Sequence, residues 1–111
     1  MAFTQSRQAN GILVIRNDGQ LIVGNRHELK DLIQSALAAG DRKFLLDFSH
    51  TGYIDSSGLG ALVTIARQVR ELGGELRLAG LNDDLRSLFE LTKLDTLFQI
   101  AETPAQALAG F

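Results

Sequence analysis

Tyr53-Ile54-Asp55-Ser56-Ser57-Gly58-Leu59-Gly60-Ala61-Leu62-Val63 is the stretch at which one hydrophobic period gives way to another. Upstream, Lys43-Phe44-Leu45-Leu46-Asp47-Phe48 is a short apolar run bounded by polar and turn residues, which reads as a buried strand. Downstream, Leu59, Leu62, Val63, Ala66 and Val69 recur at helical spacing while Arg67, Gln68, Arg70 and Glu71 take the opposite face. A helix from about Ser57 to Leu72 is therefore expected, closed at Gly73-Gly74. The change of period falls on Asp55-Ser56-Ser57-Gly58. A short oxygen-bearing side chain can there accept hydrogen bonds from the unpaired amides of the first turn, and glycine lets other backbone come close. Two hydroxyls are thus placed at the positive end of a helix, where an added phosphate would be electrostatically favoured. The plainer reading of the same residues is that Asp55 or Ser56 only caps the helix.

The flanks support an alternating α/β chain. Phe3 to Ala9 reads as a weak edge strand, Asn10-Gly11 as a tight hairpin turn, and Ile12-Leu13-Val14-Ile15 as its antiparallel partner. Asn17-Asp18-Gly19 should bulge that second strand before Leu21-Ile22-Val23 resumes it. Asn25 and Glu28 have capping-box spacing ahead of the apolar stripe Leu29, Leu32, Ile33, Ala36 and Leu37, which ends at Gly40. Ser49-His50-Thr51-Gly52 reads as a polar loop leading from the buried strand to the junction. Beyond the central helix, Glu75 to Ala79 alternates as a strand, and Asn82 caps a helix carrying Leu85, Leu88 and Phe89. A short strand at Phe98 to Ala101 and a last helix opened by Thr103-Pro104 complete the order ββαβαβαβα. Such an order implies right-handed parallel crossovers plus one antiparallel edge: a small mixed, mostly parallel sheet of four to five strands with about four helices.

Composition narrows the function classes. With 111 residues there is room for one domain, spanning 1–111, and 45% hydrophobic with 22% charged residues marks an ordinary globular chain. A net charge of -2 without a basic stripe gives no support for nucleic-acid binding. Without cysteine, and with two histidines, neither disulfides nor a metal cluster is expected, and no cofactor motif is visible. No signal-peptide pattern and no membrane-length apolar run occur, so a cytoplasmic location without membrane insertion is the expectation.

Tyr53-Ile54-Asp55-Ser56-Ser57-Gly58-Leu59-Gly60-Ala61-Leu62 resembles the signature segment of STAS domains, in particular the bacterial anti-sigma factor antagonists. Gly24-Asn25 through Leu37 is similar to the family's first helix, Glu71 to Leu76 to its helix-to-strand turn, and Leu85 to Phe89 to its third helix. One departure is Ile22-Val23 after Gly19-Gln20-Leu21, where many members carry an acidic residue near the phosphorylation loop. The resemblance implies that Ser56, directly after the aspartate, is the phosphorylated residue. It further implies a partner that is both anti-sigma factor and serine kinase, a separate phosphoserine phosphatase, and release of the sigma factor when the unmodified chain binds. On that basis the partner-binding surface is expected to comprise Thr51, Tyr53, Asp55, Ser56, Ser57, Gly58, Leu59 and Gly60, with His50 nearby, and the free chain to be a monomer. The alternative is a STAS adaptor of another complex: a lipid-transport ATPase, a stressosome or a secretion-linked switch.

An enzymatic role has less behind it. A hydrolase would need Ser56 activated by His50 with Asp47 or Asp55 behind it, yet the Gly-x-Ser-x-Gly elbow is absent. Asp83-Asp84 reads as first-turn charge of a helix, and Gly58-Leu59-Gly60 is too short for a nucleotide-binding fingerprint. The chain is therefore expected to be a substrate and binding protein, not a catalyst.

Overall fold

The computed structural model describes residues 2–111. In chain order they form β1 (Phe3–Arg7), β2 (Leu13–Leu21), α1 (Arg26–Ala38), β3 (Lys43–Ile54), α2 (Ser56–Glu71), β4 (Glu75–Ala79), α3 (Asp83–Leu91), a 3-10 turn (Leu94–Thr96), β5 (Gln99–Ala101) and α4 (Pro104–Ala109). The strands make one five-stranded sheet whose spatial order is the sequence order. β1 pairs antiparallel with β2, and β2, β3, β4 and β5 run parallel, so the ββαβαβαβα order and the mostly parallel sheet stand as read.

That strand order decides where the helices go. When each parallel strand lies beside the last and every crossover is right-handed, all the crossover helices fall on one face. The main core accordingly joins Leu13, Ile15, Phe44, Leu46, Phe48 and Leu78 of the sheet to Leu29, Ile33, Leu62, Ile65, Leu85 and Phe89 of α1, α2 and α3. Ring-edge packing of Phe98 on Phe89 closes its far end. The opposite face is served by α4 alone, whose Ala107 packs with Ile12, Leu45 and Ala79. Arg77 holds that last segment in place: its guanidinium lies 4.6 Å from the Phe111 ring and donates to the Gly110 carbonyl at 2.5 Å.

Four local expectations are corrected. The hairpin between β1 and β2 does not turn on an Asn-Gly pair. Gly11 N–H donates to Gln8 O at 3.0 Å and only Gly11, at φ 85°, is left-handed, so the loop spans three residues and places its glycine at the bulge. Second, Ile22-Val23 does not continue β2, which ends at Leu21. Asn25 stands at the head of α1 but gives it no side-chain cap. Its Oδ1 accepts from Ile22 N–H at 2.9 Å and its Nδ2 donates to Gln20 O at 2.8 Å, so the side chain folds the departing strand rather than a capping box.

The fourth correction bears on the site. Ser49-His50-Thr51-Gly52 is not a loop; β3 runs unbroken from Lys43 to Ile54. What keeps these polar residues extended is β2, whose register shifts between Arg16 and Asp18 and between Gly19 and Gln20 let it follow β3 to the end. Thr51 points inward and is 3% exposed, its hydroxyl 2.7 Å from Asn17 Oδ1 and 2.9 Å from Asn17 O. Asp47 settles the start of the segment by accepting from Ser49 N–H at 2.9 Å and from the Ser49 hydroxyl at 2.6 Å. Glycines end the helices as read: Gly40, at φ 104°, follows α1 with Asp41 N–H on Ala36 O, and Gly73, at φ 76°, follows α2 with Gly74 N–H on Val69 O.

Candidate functional site

The central strand passes to the central helix through a single residue. Ile54 ends β3, Ser56 begins α2, and Asp55 between them is extended at φ -86° and ψ 177°. Its carboxylate does the capping: Oδ1 accepts from Gly58 N–H at 2.7 Å and from the Ser57 hydroxyl at 2.6 Å. Oδ2 reaches across to the turn after β2 and accepts from Val23 N–H at 3.2 Å, while the Asp55 amide donates to Leu21 O at 3.1 Å. Asp55 is therefore a clamp binding the end of β2, the end of β3 and the first turn of α2. The Ser57 hydroxyl, then the Gly58 amide, and to a lesser degree the Val23 and Ser57 amides hold this carboxyl below its ordinary range, against the opposing effect of burial.

Gly58 explains how the helix comes so close. A Cβ at that position would lie 2.5 Å from Leu21 O and 3.0 Å from the Ile54 side chain, so only glycine lets α2 start flush against the sheet. Gly60, on the outer side of the same turn, is exposed, and a Cβ there would meet nothing within 4 Å. The two glycines therefore differ in kind, one serving packing and the other leaving surface open.

The expected surface residues separate along the same line. Ser56 and Gly60 are exposed, Tyr53 is 57% exposed, and Asp55 and Ser57 are half-buried at the rim. His50 is exposed on the strand. Thr51, Gly58 and Leu59 do not belong to this surface: Thr51 is locked to Asn17, Gly58 lies under the sheet end, and Leu59 joins the main core. Regular alternation would put Tyr53 and Thr51 on one face; the extra β3 residue between them, opposite Gly19 and Gln20 of β2, turns Tyr53 out and leaves Thr51 in. Val23 is the neighbour that the sequence pattern concealed. It reads as part of the resumed second strand, but β2 has already ended, and Val23 stands 60% exposed beside the clamp. An open depression lined by Gly19, Gln20, Asn25 and Gly52 borders Tyr53 on the strand side.

Ser56 Oγ forms no hydrogen bond among the described residues, in contrast to the committed hydroxyl of Ser57. The carboxylates that a serine hydrolase would need are engaged elsewhere, Asp47 by Ser49 and Asp55 by Ser57 and two amides. Among the described residues no three His, Asp or Glu side chains converge as metal ligands, and no helix is long and apolar enough to cross a membrane.

Comparison with known proteins places this geometry. The STAS domain pattern matches residues 4–107. A relative from Bordetella bronchiseptica, BtrV, named as a candidate anti-sigma factor antagonist, is 29% identical over 102 residues, covering 92% of this chain and 88% of its own. A crystal structure of a candidate anti-sigma factor antagonist from Thermotoga maritima superposes with a TM-score of 0.90 at 26% identity, covering 97% of this chain and 92% of that one. The Bacillus anti-sigma factor antagonist SpoIIAA shares the fold in both its unphosphorylated and phosphorylated forms. Their TM-scores are 0.77 and 0.76 at 19% and 23% identity, covering 98% and 97% of this chain and 96% and 97% of those chains.

Proposed function

The chain belongs to the STAS domain family, and from that membership we propose that it is an anti-sigma factor antagonist controlled by phosphorylation of Ser56. Unmodified, it binds an anti-sigma factor that is also a serine kinase, and the sigma factor is released. Residues 1–111 act as one unit in the cytoplasm, monomeric when free, as a substrate and ligand and not as a catalyst; a separate phosphatase restores the serine. The docking surface is the rim around the α2 start: Tyr53, Ser56 and Gly60, with Asp55 and Ser57 beneath and Val23 alongside.

The observation that carries this reading is the setting of Ser56, an exposed and uncommitted hydroxyl at the first position of a helix fixed to the central strand. Phosphorylation adds about -1.5 to -2 charges at neutral pH. The positive end of α2 stabilises that charge, so the fold has no reason to yield. Persistence of the same fold in both forms of SpoIIAA supports a switch made at the interface. There, a partner seated on the rim must desolvate a phosphate lying beside Asp55. A penalty of about 4 kcal/mol suffices to weaken a complex about a thousandfold.

The test is a binding titration of plain and phosphorylated chain against purified anti-sigma factors from the source organism. Tight binding by the plain form and a loss of two to three orders of magnitude on phosphorylation are expected. Equal affinity of the two forms refutes the switch, and phosphate found by mass spectrometry on Ser49 or Ser87 refutes the site.

A further inference from the structure

Two serines stand side by side at the junction, and both are within reach of an enzyme approaching the rim. Building on the phosphorylation reading above, we propose that Asp55 selects between them: by holding the hydroxyl of Ser57 it leaves Ser56 as the sole phosphate acceptor. Asp55 is in this sense a positioning and specificity-determining residue, not a catalytic one.

The two hydroxyls differ in what they must give up in order to react. In the transfer, serine Oγ bonds to the γ-phosphorus of ATP, the bond from that phosphorus to the β,γ-bridging oxygen breaks, ADP departs, and the hydroxyl proton passes to a base. For Ser56 nothing in the chain stands in the way, since its side chain is exposed and makes no hydrogen bond among the described residues. Ser57 is half-buried and its hydroxyl donates a hydrogen bond to Asp55 Oδ1 at 2.6 Å. To face a nucleotide it must rotate off that oxygen, leaving the carboxylate with one donor fewer at a place where the Gly58 and Val23 amides fix its position.

The same contact does not make Asp55 a general base for Ser57. A carboxylate satisfied by three separate donors is a weak proton acceptor, and its orientation is set by the fold and not by the incoming phosphate. The base must therefore be brought by the kinase, which places it over the exposed serine. Breaking a hydrogen bond to a charged acceptor on the way to attack corresponds to a rate disadvantage of about tenfold to a hundredfold for Ser57.

The experiment incubates the full chain and its variants with ATP and purified anti-sigma serine kinases from the source organism, and maps phosphate by mass spectrometry. The unchanged chain should carry phosphate on Ser56 alone, and Ser56→Ala should acquire it on Ser57 at least about tenfold more slowly. Adding Asp55→Gly, which glycine's tolerance at a helix cap makes compatible with folding, should restore Ser57 phosphorylation by about tenfold or more. Asp55→Asn, which keeps an acceptor oxygen toward Gly58 and Ser57, should retain the preference for Ser56. Far-UV circular dichroism of each variant confirms that α2 is intact, and the Ser56-to-Ser57 ratio is a readout that loss of stability alone does not invert. Phosphorylation of Ser57 in Ser56→Ala at the rate of Ser56 in the unchanged chain overturns the selection by Asp55, as does an unaltered Ser57 rate when Asp55→Gly is added to Ser56→Ala, or an unaltered Ser56-to-Ser57 ratio when Asp55→Gly is made alone. No phosphate on the unchanged chain with any such kinase overturns the phosphorylation reading itself, and this inference with it.

Discussion

Asp55 carries the pH dependence of the junction. Its carboxyl is held below the ordinary range by the Ser57 hydroxyl, the Gly58 amide and the Val23 amide, so the folded state binds its proton less readily than the unfolded chain. The stabilisation is complete above the unfolded value of about 3.9 and is lost as pH falls through the lower folded value. Urea unfolding measured from neutral to acid pH should therefore show Asp55→Ala less stable than the unchanged chain at pH 7, with the gap closing in that acid window. A gap independent of pH would show that the charge is not what the clamp uses. Thr51 offers a second residue-scale check. Thr51→Val leaves Asn17 Oδ1, on a side chain only 1% exposed, without the hydroxyl it now accepts from, and a loss of about 1–3 kcal/mol in unfolding free energy is expected. At this scale the sequence placed a helix cap at Asp55 or Ser56 without deciding between them, and the structure gives the cap to Asp55. The sequence reading misplaced Thr51 on the expected docking surface, because the partner that holds it inside lies 34 residues away and becomes visible only once β2 and β3 are paired.

Among the elements, α2 was legible and β3 was half so. Leu59, Leu62, Ala66 and Val69 have no other arrangement that buries them together, and the helix begins at Ser56 and ends at Glu71 within a residue of its expected bounds. β3 reads correctly while its residues are apolar, but Ser49 to Gly52 have turn composition and extended structure. Their conformation is dictated by pairing with β2, against which β3 carries an extra residue at each of two register shifts, and no local pattern encodes that. The departure of Asn25 from a capping box has the same origin, since its side chain found the frayed end of β2 before it found its own helix. The two glycines of α2 give the element-scale prediction. Gly58→Ala forces a methyl against Leu21 O and should cost about 1–3 kcal/mol, whereas Gly60→Ala meets open space within a helix and should be stabilising by about 0.5–1 kcal/mol. Chemical denaturation of the pair checks both signs. If Gly60 belongs to the docking rim, its alanine variant also weakens partner binding while melting at a higher temperature.

For the whole molecule, the sequential strand order sends α1, α2 and α3 to one face and leaves α4 to the other, and the β3–α2 junction lies at the end of the middle strand of the sheet. A charge added to Ser56 meets the positive end of a helix whose body is sealed into the main core. Ser56→Asp should thus keep the far-UV spectrum and melt within about 3 °C of the unchanged chain, while losing partner affinity. A melting point lowered well beyond that would indicate control by unfolding. The alternation of periods gave the element order and the mostly parallel sheet, but not the spatial strand order on which the placement of α1, α2 and α3 depends. Nor did it give the face that α4 takes, since six residues with a proline start carry too little pattern to declare a side.

If Ser56 is phosphorylated as proposed, the passage from Ile54 to Ser56 through one extended residue also decides how the kinase can meet it. Many protein substrates present their target on a slack loop that threads into a catalytic cleft as an unfolded peptide would. Here there is no slack to thread: strand and helix pull the serine taut from either side, so the modifying enzyme must carry a cleft shallow enough to close over an intact domain. Recognition would then be of a shape rather than of a string of letters, and a short synthetic copy of the signature segment would be a poor substitute for the folded chain.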